Sequence, residues 1–158
     1  AFVLILLAGY LGGRYVLHNR ALAVLESRLY RGEVPARVAA MPSPVDPLAW
    51  TGLVEGAGFV QLHPRLHLLR EFDPDEGRTY YKPVDNPAVA RARQIEPFRS
   101  FLDFAAWPVW RVSPAADPEG AAVVELSDVR FGPPESSRFS VSAVIDSQGR
   151  VVEAVPRR

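Results

Sequence analysis

The fold is decided by an alternating stretch near the end of the chain, Phe139-Ser140-Val141-Ser142-Ala143-Val144-Ile145, and by the turn Ser147-Gln148-Gly149 that follows it. Successive side chains of a strand point to opposite faces, so the odd-numbered apolar residues share one face and the serines share the other. The turn returns the chain into a further strand over residues 150–155. This pattern predicts an antiparallel sheet with one face on a core and one face in water.

Similar strand signals precede this hairpin. Residues 50–55 and a strand from Val60 to Leu68 flank the loop Gly56-Ala57-Gly58, which is typical of a tight hairpin. Pro64 lies inside the second of these strands and is predicted to interrupt its pairing, as at an edge or a bulge. Further strands are predicted over residues 78–82, 109–112 and 121–131.

A helix is predicted from Asn86, with the asparagine side chain as its cap and Pro87 in its first turn. Pro97 lies within the apolar stripe of this helix and is predicted to kink or split it, and Trp107-Pro108 ends it. Helices before and between hairpin-connected strands are typical of α+β proteins. The predicted fold class is α+β, with helices packed on one face of a curved antiparallel sheet, preceded by the end of a transmembrane helix.

The first twelve residues, Ala1-Phe2-Val3-Leu4-Ile5-Leu6-Leu7-Ala8-Gly9-Tyr10-Leu11-Gly12, carry no charge and no helical periodicity. A helix that is apolar on every side faces lipid or a large core, because it has no polar stripe for water. Twelve residues rise only about 18 Å, which is short of the roughly 20 residues of a complete span. We interpret residues 1–13 as the end of a transmembrane helix; the alternatives are a signal-peptide core and a buried helix of a soluble domain.

Arginine is in excess after this apolar run, where Arg14, Arg20, Arg28, Arg31 and Arg37 stand against Glu26 and Glu33. Such an excess next to a span marks the cytoplasmic side, which predicts that the domain after the span faces the cytoplasm. An amphipathic membrane-exit helix is predicted within residues 14–40, ended by Gly32 and Pro35. The α+β domain is predicted over residues 41–158, and it opens with a proline-rich connector over residues 41–47.

Composition excludes several kinds of site. The formal net charge is zero, so no overall field recruits nucleic acid. The chain has no cysteine, which excludes disulfides, thiolate metal ligands and cysteine nucleophiles. It has no nucleophile motif and no phosphate-binding glycine loop, and no sequence pattern indicates an oligomeric state.

The three histidines of the chain are weak candidates for ligands. His63 and His67 have a spacing that on a helix would allow them to share one metal ion. Pro64 and the alternating pattern favour a strand, in which residues four apart are separated by roughly 13 Å. Both are therefore predicted to be exposed on a sheet face, and no metal site is predicted. His18 has no acidic residue three or four positions away and is predicted to face solvent or lipid headgroups.

Four residues are candidates for a ligand or interaction site, namely Asp128, Arg130, Trp50 and Trp107. Asp128 and Arg130 lie two apart on a predicted strand, so both side chains point the same way and could orient a polar ligand. The alternative is a salt bridge on the surface. Trp50 and Trp107 could line a pocket for an apolar ligand between helix and sheet, and the alternative is packing in the core.

Four motifs occur in order along the chain: Arg20-Ala21, Met41-Pro42-Ser43-Pro44-Val45-Asp46-Pro47-Leu48-Ala49-Trp50, Phe101-Leu102-Asp103-Phe104 with Trp107-Pro108, and Leu126-Ser127-Asp128-Val129-Arg130-Phe131. Together they resemble the C-terminal part of the bacterial membrane-bound, metal-dependent hydrolase family of the LexA-regulated inner-membrane type. The resemblance implies an accessory cytoplasmic domain, regulatory or substrate-positioning, attached to a multi-span hydrolase-like region.

The resemblance assigns no catalytic residue and no cofactor to residues 1–158. It implies that any divalent metal is bound by histidines and acids of an N-terminal membrane region, which would be a partner of this chain together with the membrane itself. Two other functions stay open. One is a noncatalytic module that binds an apolar or lipid-like ligand between helix and sheet, and the other is a structural envelope domain that mediates oligomer contacts.

Overall fold

The structure is a computed structural model that describes residues 2–137 and 139–157, and for residues 154–157 it describes the backbone only. The chain is α+β, with an N-terminal helix and two antiparallel four-stranded sheets where the sequence predicted a single sheet. It divides into two compact units, Ala1–Thr79 and Tyr80–Arg158, where the sequence predicted one domain over residues 41–158. Each unit has its own sheet and its own helical cover.

The first unit has one long helix and a sheet of strand order β1-β2-β3-β4, in which β2 pairs antiparallel with both β1 and β3. Its elements are helix α1 (Phe2–Glu26) and strands β1 (Arg37–Pro42), β2 (Ala49–Glu55), β3 (Phe59–His67) and β4 (Arg78–Tyr81). A 3₁₀ turn over Pro74–Glu76 leads into β4, and the boundary between the units falls within this strand, between Thr79 and Tyr80.

The second unit has two short helices and a sheet of strand order β5-β6-β7-β8, with all neighbours antiparallel. Its elements are helices α2 (Pro87–Ala92) and α3 (Glu96–Phe104) and strands β5 (Pro108–Pro114), β6 (Ala122–Asp128), β7 (Ser140–Ile145) and β8 (Val151–Arg157). Short 3₁₀ turns follow β6 at Val129–Phe131 and Pro134–Ser136.

The predicted helix start and break of the second unit are confirmed. Asn86 caps α2, because its side-chain oxygen accepts from the backbone N–H groups of Ala88 and Val89. Pro97 stands in the first turn of α3, where its missing N–H is tolerated, so the single predicted helix is split in two. The two helices pack on the sheet through a core in which the rings of Phe98 and Trp110 stack at 5.6 Å.

The alternation in β7 is confirmed for its central residues, since Val141, Ala143 and Ile145 are buried in that core. Phe139 is different, because it precedes the strand and its ring is 44% exposed. Ser140, predicted on the wet face, is buried. The sequence alternation therefore identifies the core-facing positions of the strand and fails at its beginning.

Helix α1 runs without interruption across residues 13 and 14, and it ends earlier than predicted, at Glu26 rather than near Gly32. Tyr30 terminates it: the buried phenol donates to the carbonyl of Leu25 at 2.9 Å, which satisfies a last-turn carbonyl. Burial raises the pKa of Tyr30, so the phenol remains a donor.

Two further differences follow from the early end of α1. Leu29, which lies within the range predicted for the membrane-exit helix, is outside α1 and exposed. Residues 37–42, which span the end of the predicted membrane-exit segment and the start of the predicted connector, form β1, in which pairing with β2 satisfies their backbone groups. Over the residues described, no helix is both long enough and apolar enough to cross a membrane.

The second half of α1 packs on the sheet of the first unit. Ala21 and Leu25 are fully buried in a core cluster with Trp50, Val54 and Leu66. A Cβ built on Gly52 would lie 2.9 Å from Cδ2 of Leu25, so the helix approaches the strand at the one point where a side chain is missing. By contrast, residues 2–13 of the helix are exposed on every side.

The pairing of β2 with β3 contains the predicted irregularity at Pro64. His63 pairs with Gly52 and Leu66 pairs with Trp50, so three steps on β3 match two steps on β2. This extra residue places His63 and Leu66 on the same face. The prediction that His63 is exposed is therefore wrong, since its side chain is turned into the unit and is 3% exposed.

We expect Trp50→Ala to lower the free energy of unfolding by about 3–5 kcal/mol, because Trp50 is 3% exposed and lies under α1. Urea denaturation measures this loss. The control is Leu69→Ala at an exposed position of the same unit, which should change stability by less than about 0.5 kcal/mol. An unchanged midpoint for Trp50→Ala would contradict the assignment of Trp50 to the core.

Candidate functional site

The first unit contains a cleft of about 270 Å³ beside the bulge of β3. Strand β3, the loop that follows it, the 3₁₀ turn and β4 all contribute to its walls. The side chains that give it its chemistry are His63, Arg65, Phe72, Asp73, Glu76 and Arg78. Both signs of charge and one imidazole are thus brought together by segments that lie close in sequence.

His63 is held firmly in the wall of this cleft. Its Nε2 lies 3.1 Å from Oε1 of Gln61, and Nε2 of Gln61 donates to Oγ1 of Thr79 at 2.9 Å. Because the Gln61 oxygen is an acceptor, His63 Nε2 is the donor and Nδ1 is left as an acceptor. The rings of Tyr30 and Phe72 lie 5.6 and 5.0 Å from the imidazole, centroid to centroid.

Burial determines the charge of His63. It lowers the pKa of the imidazole to about 4, and the nearby negative charge of Asp73 opposes this shift only in part. His63 is therefore neutral at pH 7 and can offer a lone pair to a polar ligand. Sequence reasoning missed this residue, and the signal that identifies it is the bulge at Pro64, which shifts the alternation by one residue.

The other histidines do not join His63 in a site. Nδ1 of His67 accepts from the backbone N–H of Leu69, and its Nε2 lies 3.5 Å from a carboxylate oxygen of Asp46. His18 packs against the ring of Trp50 at 5.5 Å. Within residues 2–137 and 139–157, no group of three or more His, Asp and Glu side chains could hold a metal ion.

Asp128 and Arg130 form a tightly bonded pair in the second unit. The carboxylate of Asp128 is fully buried and lies 2.7 Å from a guanidinium nitrogen of Arg130. It also accepts from the backbone N–H groups of Ala106, Trp107 and Arg130. Burial acts to raise the pKa of Asp128, but these hydrogen bonds outweigh it and hold the pKa below its usual range.

This geometry explains what the pair does. The bonds from Ala106 and Trp107 tie the end of β6 to the segment that connects α3 to β5, and the bond from Arg130 closes the turn after β6, so the carboxylate of Asp128 acts as a cap for irregular backbone. The guanidinium of Arg130 lies over the rings of Phe104 and Phe131 at 5.4 and 5.3 Å. The surface salt bridge considered from the sequence is thus a half-buried one with a structural role.

Trp50 and Trp107 are both buried and belong to different units. Trp50 lies in the core beneath α1, and Trp107 lies beside the capping carboxylate of Asp128. The four candidate residues therefore do not converge on one site. No family model, no curated protein and no solved structure matches the chain.

We expect Asp128→Asn to destabilise the chain by about 1–3 kcal/mol, because the amide would present N–H donors to backbone N–H donors and would lose the charge that pairs with Arg130. Thermal and urea unfolding measure this loss. Asp103→Asn, at an exposed position of the same unit, is the matched control and should be neutral. Equal stability of the two variants would contradict the capping role.

We expect the pH dependence of stability to carry the signature of neutral, buried His63. The pKa of His63 is about 4 in the folded state and 6.5 in the unfolded state. Between these two pH values the imidazole is protonated in the unfolded state and neutral in the folded state, so lowering the pH favours unfolding. Stability should fall by about 2–3 kcal/mol as the pH is lowered from 7 to 4.5. Urea midpoints of His63→Gln should lack this component, whereas His67→Gln should keep it. If the stability of His63→Gln depended on pH as steeply as that of the wild type, buried His63 would not be the source of this dependence.

Proposed function

We propose that the first half of α1 attaches this chain to a lipid bilayer and that the remainder is an accessory, regulatory or substrate-positioning domain of a membrane hydrolase. The observation that carries the attachment is the exposure of residues 2–13. Their large side chains are apolar on every side of the helix and 51–73% exposed. The first charged residue is Arg14.

The energetics of this exposure support the proposal. Burying one large apolar side chain is worth about 1.5–3 kcal/mol, and the first half of α1 exposes eight of them, namely Phe2, Val3, Leu4, Ile5, Leu6, Leu7, Tyr10 and Leu11. A bilayer covers all sides of a helix, whereas a protein groove covers one side. The described apolar segment rises about 18 Å, which exceeds half the roughly 30 Å hydrocarbon thickness.

The direction of attachment is also a proposal. The arginine excess that begins at Arg14 supports placement of both units on the cytoplasmic side of a bacterial inner membrane. In this arrangement the helix is the end of a transmembrane segment, and α1 carries the first sheet directly on the membrane surface. The second half of α1 covers one face of the first sheet, and α2 and α3 cover one face of the second.

The accessory role in a hydrolase is supported by the motif resemblance alone. A divalent metal in such a protein would be held by its N-terminal membrane region. A noncatalytic ligand-binding module is the second candidate function, and the cleft at His63 favours it. The charged lining of that cleft suits a polar ligand better than the apolar ligand first considered.

We expect the wild-type chain to float with neutral phosphatidylcholine vesicles in a density gradient and Leu4→Glu/Leu7→Glu to weaken this binding by at least about a hundredfold. Each carboxylate would have to enter the hydrocarbon, at a cost of up to about 3 kcal/mol. Val45→Glu/Leu69→Glu adds the same charge at exposed apolar positions of the first unit and should still float. A wild-type chain that stays with the soluble fraction would contradict the attachment.

A further inference from the structure

A basic cluster lies at the midpoint of α1, where the exposed half of the helix meets the packed half. Arg14 and His18 are one turn apart and share a face of the helix. The guanidinium carbon of Arg14 lies 5.1 Å above the ring of Trp50, and the imidazole of His18 lies 5.5 Å from the same ring. Trp50 thus orients both side chains.

Arg14 keeps its hydrogen-bonding capacity free. The contact of the guanidinium with the Trp50 ring is a cation–π contact and provides no oxygen acceptor, so the N–H donors of Arg14 remain available to an oxygen ligand. Across the described parts of the chain, Arg14 has no carboxylate partner, although it is partly buried. Planar N–H donors of this kind match phosphate oxygens.

The position of the cluster along α1 indicates the source of the phosphate. Arg14 follows directly on the uncharged residues 2–13, about 18 Å from Phe2 along the helix axis. If that segment occupies the hydrocarbon, Arg14 lies at the level of the lipid headgroups. Tyr10 and Tyr15 flank it and are exposed, as aromatic residues at a membrane interface are.

We propose that Arg14 and His18, oriented by Trp50, bind the phosphate of an anionic phospholipid at the bilayer surface. The inference rests on the proposed membrane attachment and adds to it a lipid preference held at one site. The helix supplies affinity for any bilayer, and the cluster supplies selectivity for a negatively charged headgroup. One basic residue close to an anionic surface contributes about 1 kcal/mol, which corresponds to a factor of about five in binding.

The test compares binding to vesicles of phosphatidylcholine alone with binding to vesicles that also contain phosphatidylglycerol. We expect the wild type to prefer the anionic vesicles and Arg14→Gln to reduce that preference about fivefold while binding to neutral vesicles is unchanged. Arg14→Lys should keep part of the preference, because it retains the charge without the planar donors. His18→Gln should cause a smaller loss than Arg14→Gln.

Arg70→Gln is the matched control, because it removes the same charge from an exposed position of the same unit and should keep the full preference. An equal loss in Arg70→Gln and Arg14→Gln would overturn the site in favour of diffuse attraction. Equal wild-type binding to both vesicles would overturn the lipid preference and leave the attachment standing. Wild-type binding to neither would overturn both proposals. Release by inorganic phosphate at constant ionic strength would assign the cluster to a free anion and overturn the lipid source.

Discussion

The approach of Leu25 to Gly52 is the constraint on which the first unit depends. Gly52 lies in the middle of β2, and Cδ2 of Leu25 occupies the space that a side chain there would need. This contact brings α1 close enough to the sheet for Ala21 and Leu25 to be fully buried and for Trp50 to fill the remaining space. The buried phenol of Tyr30 ends the helix next to this contact and helps to enclose His63. A side chain at position 52 would force Leu25 to move from this position.

The same contact gives the two halves of α1 different surroundings. The second half is fixed to the sheet, so the first half extends from the unit as a rigid continuation of the same helix. A 3.6-residue repeat separates core and solvent faces only in the second half, since residues 2–13 have no polar face at all. Soluble domains rarely expose an apolar surface of this extent, which supports the proposed attachment, because a bilayer would cover every side of the helix.

Much of the architecture follows from local sequence rules, and the departures have identifiable causes. The cap at Asn86, the break at Pro97 and the core-facing side of β7 follow from capping, proline geometry and alternation. The division into two sheets does not, because the partners of a strand are chosen by contacts between distant residues. Alternation alone placed His63 on the wrong face, since one extra residue at a bulge reverses every later position. The cap at Asp128 needs the backbone of residues 106 and 107, which no local pattern links to it.

The claim that α1 is an anchor with two environments is tested most directly by spin-label accessibility in vesicles. The chain has no cysteine, so single labels at Leu6→Cys and Ala23→Cys report cleanly on the exposed surface of each half. In vesicles we expect the label at position 6 to be reached by oxygen and shielded from a water-soluble nickel complex, whereas the label at position 23 should show the reverse. Equal access of the nickel complex to both labels, unchanged by the addition of vesicles, would contradict it.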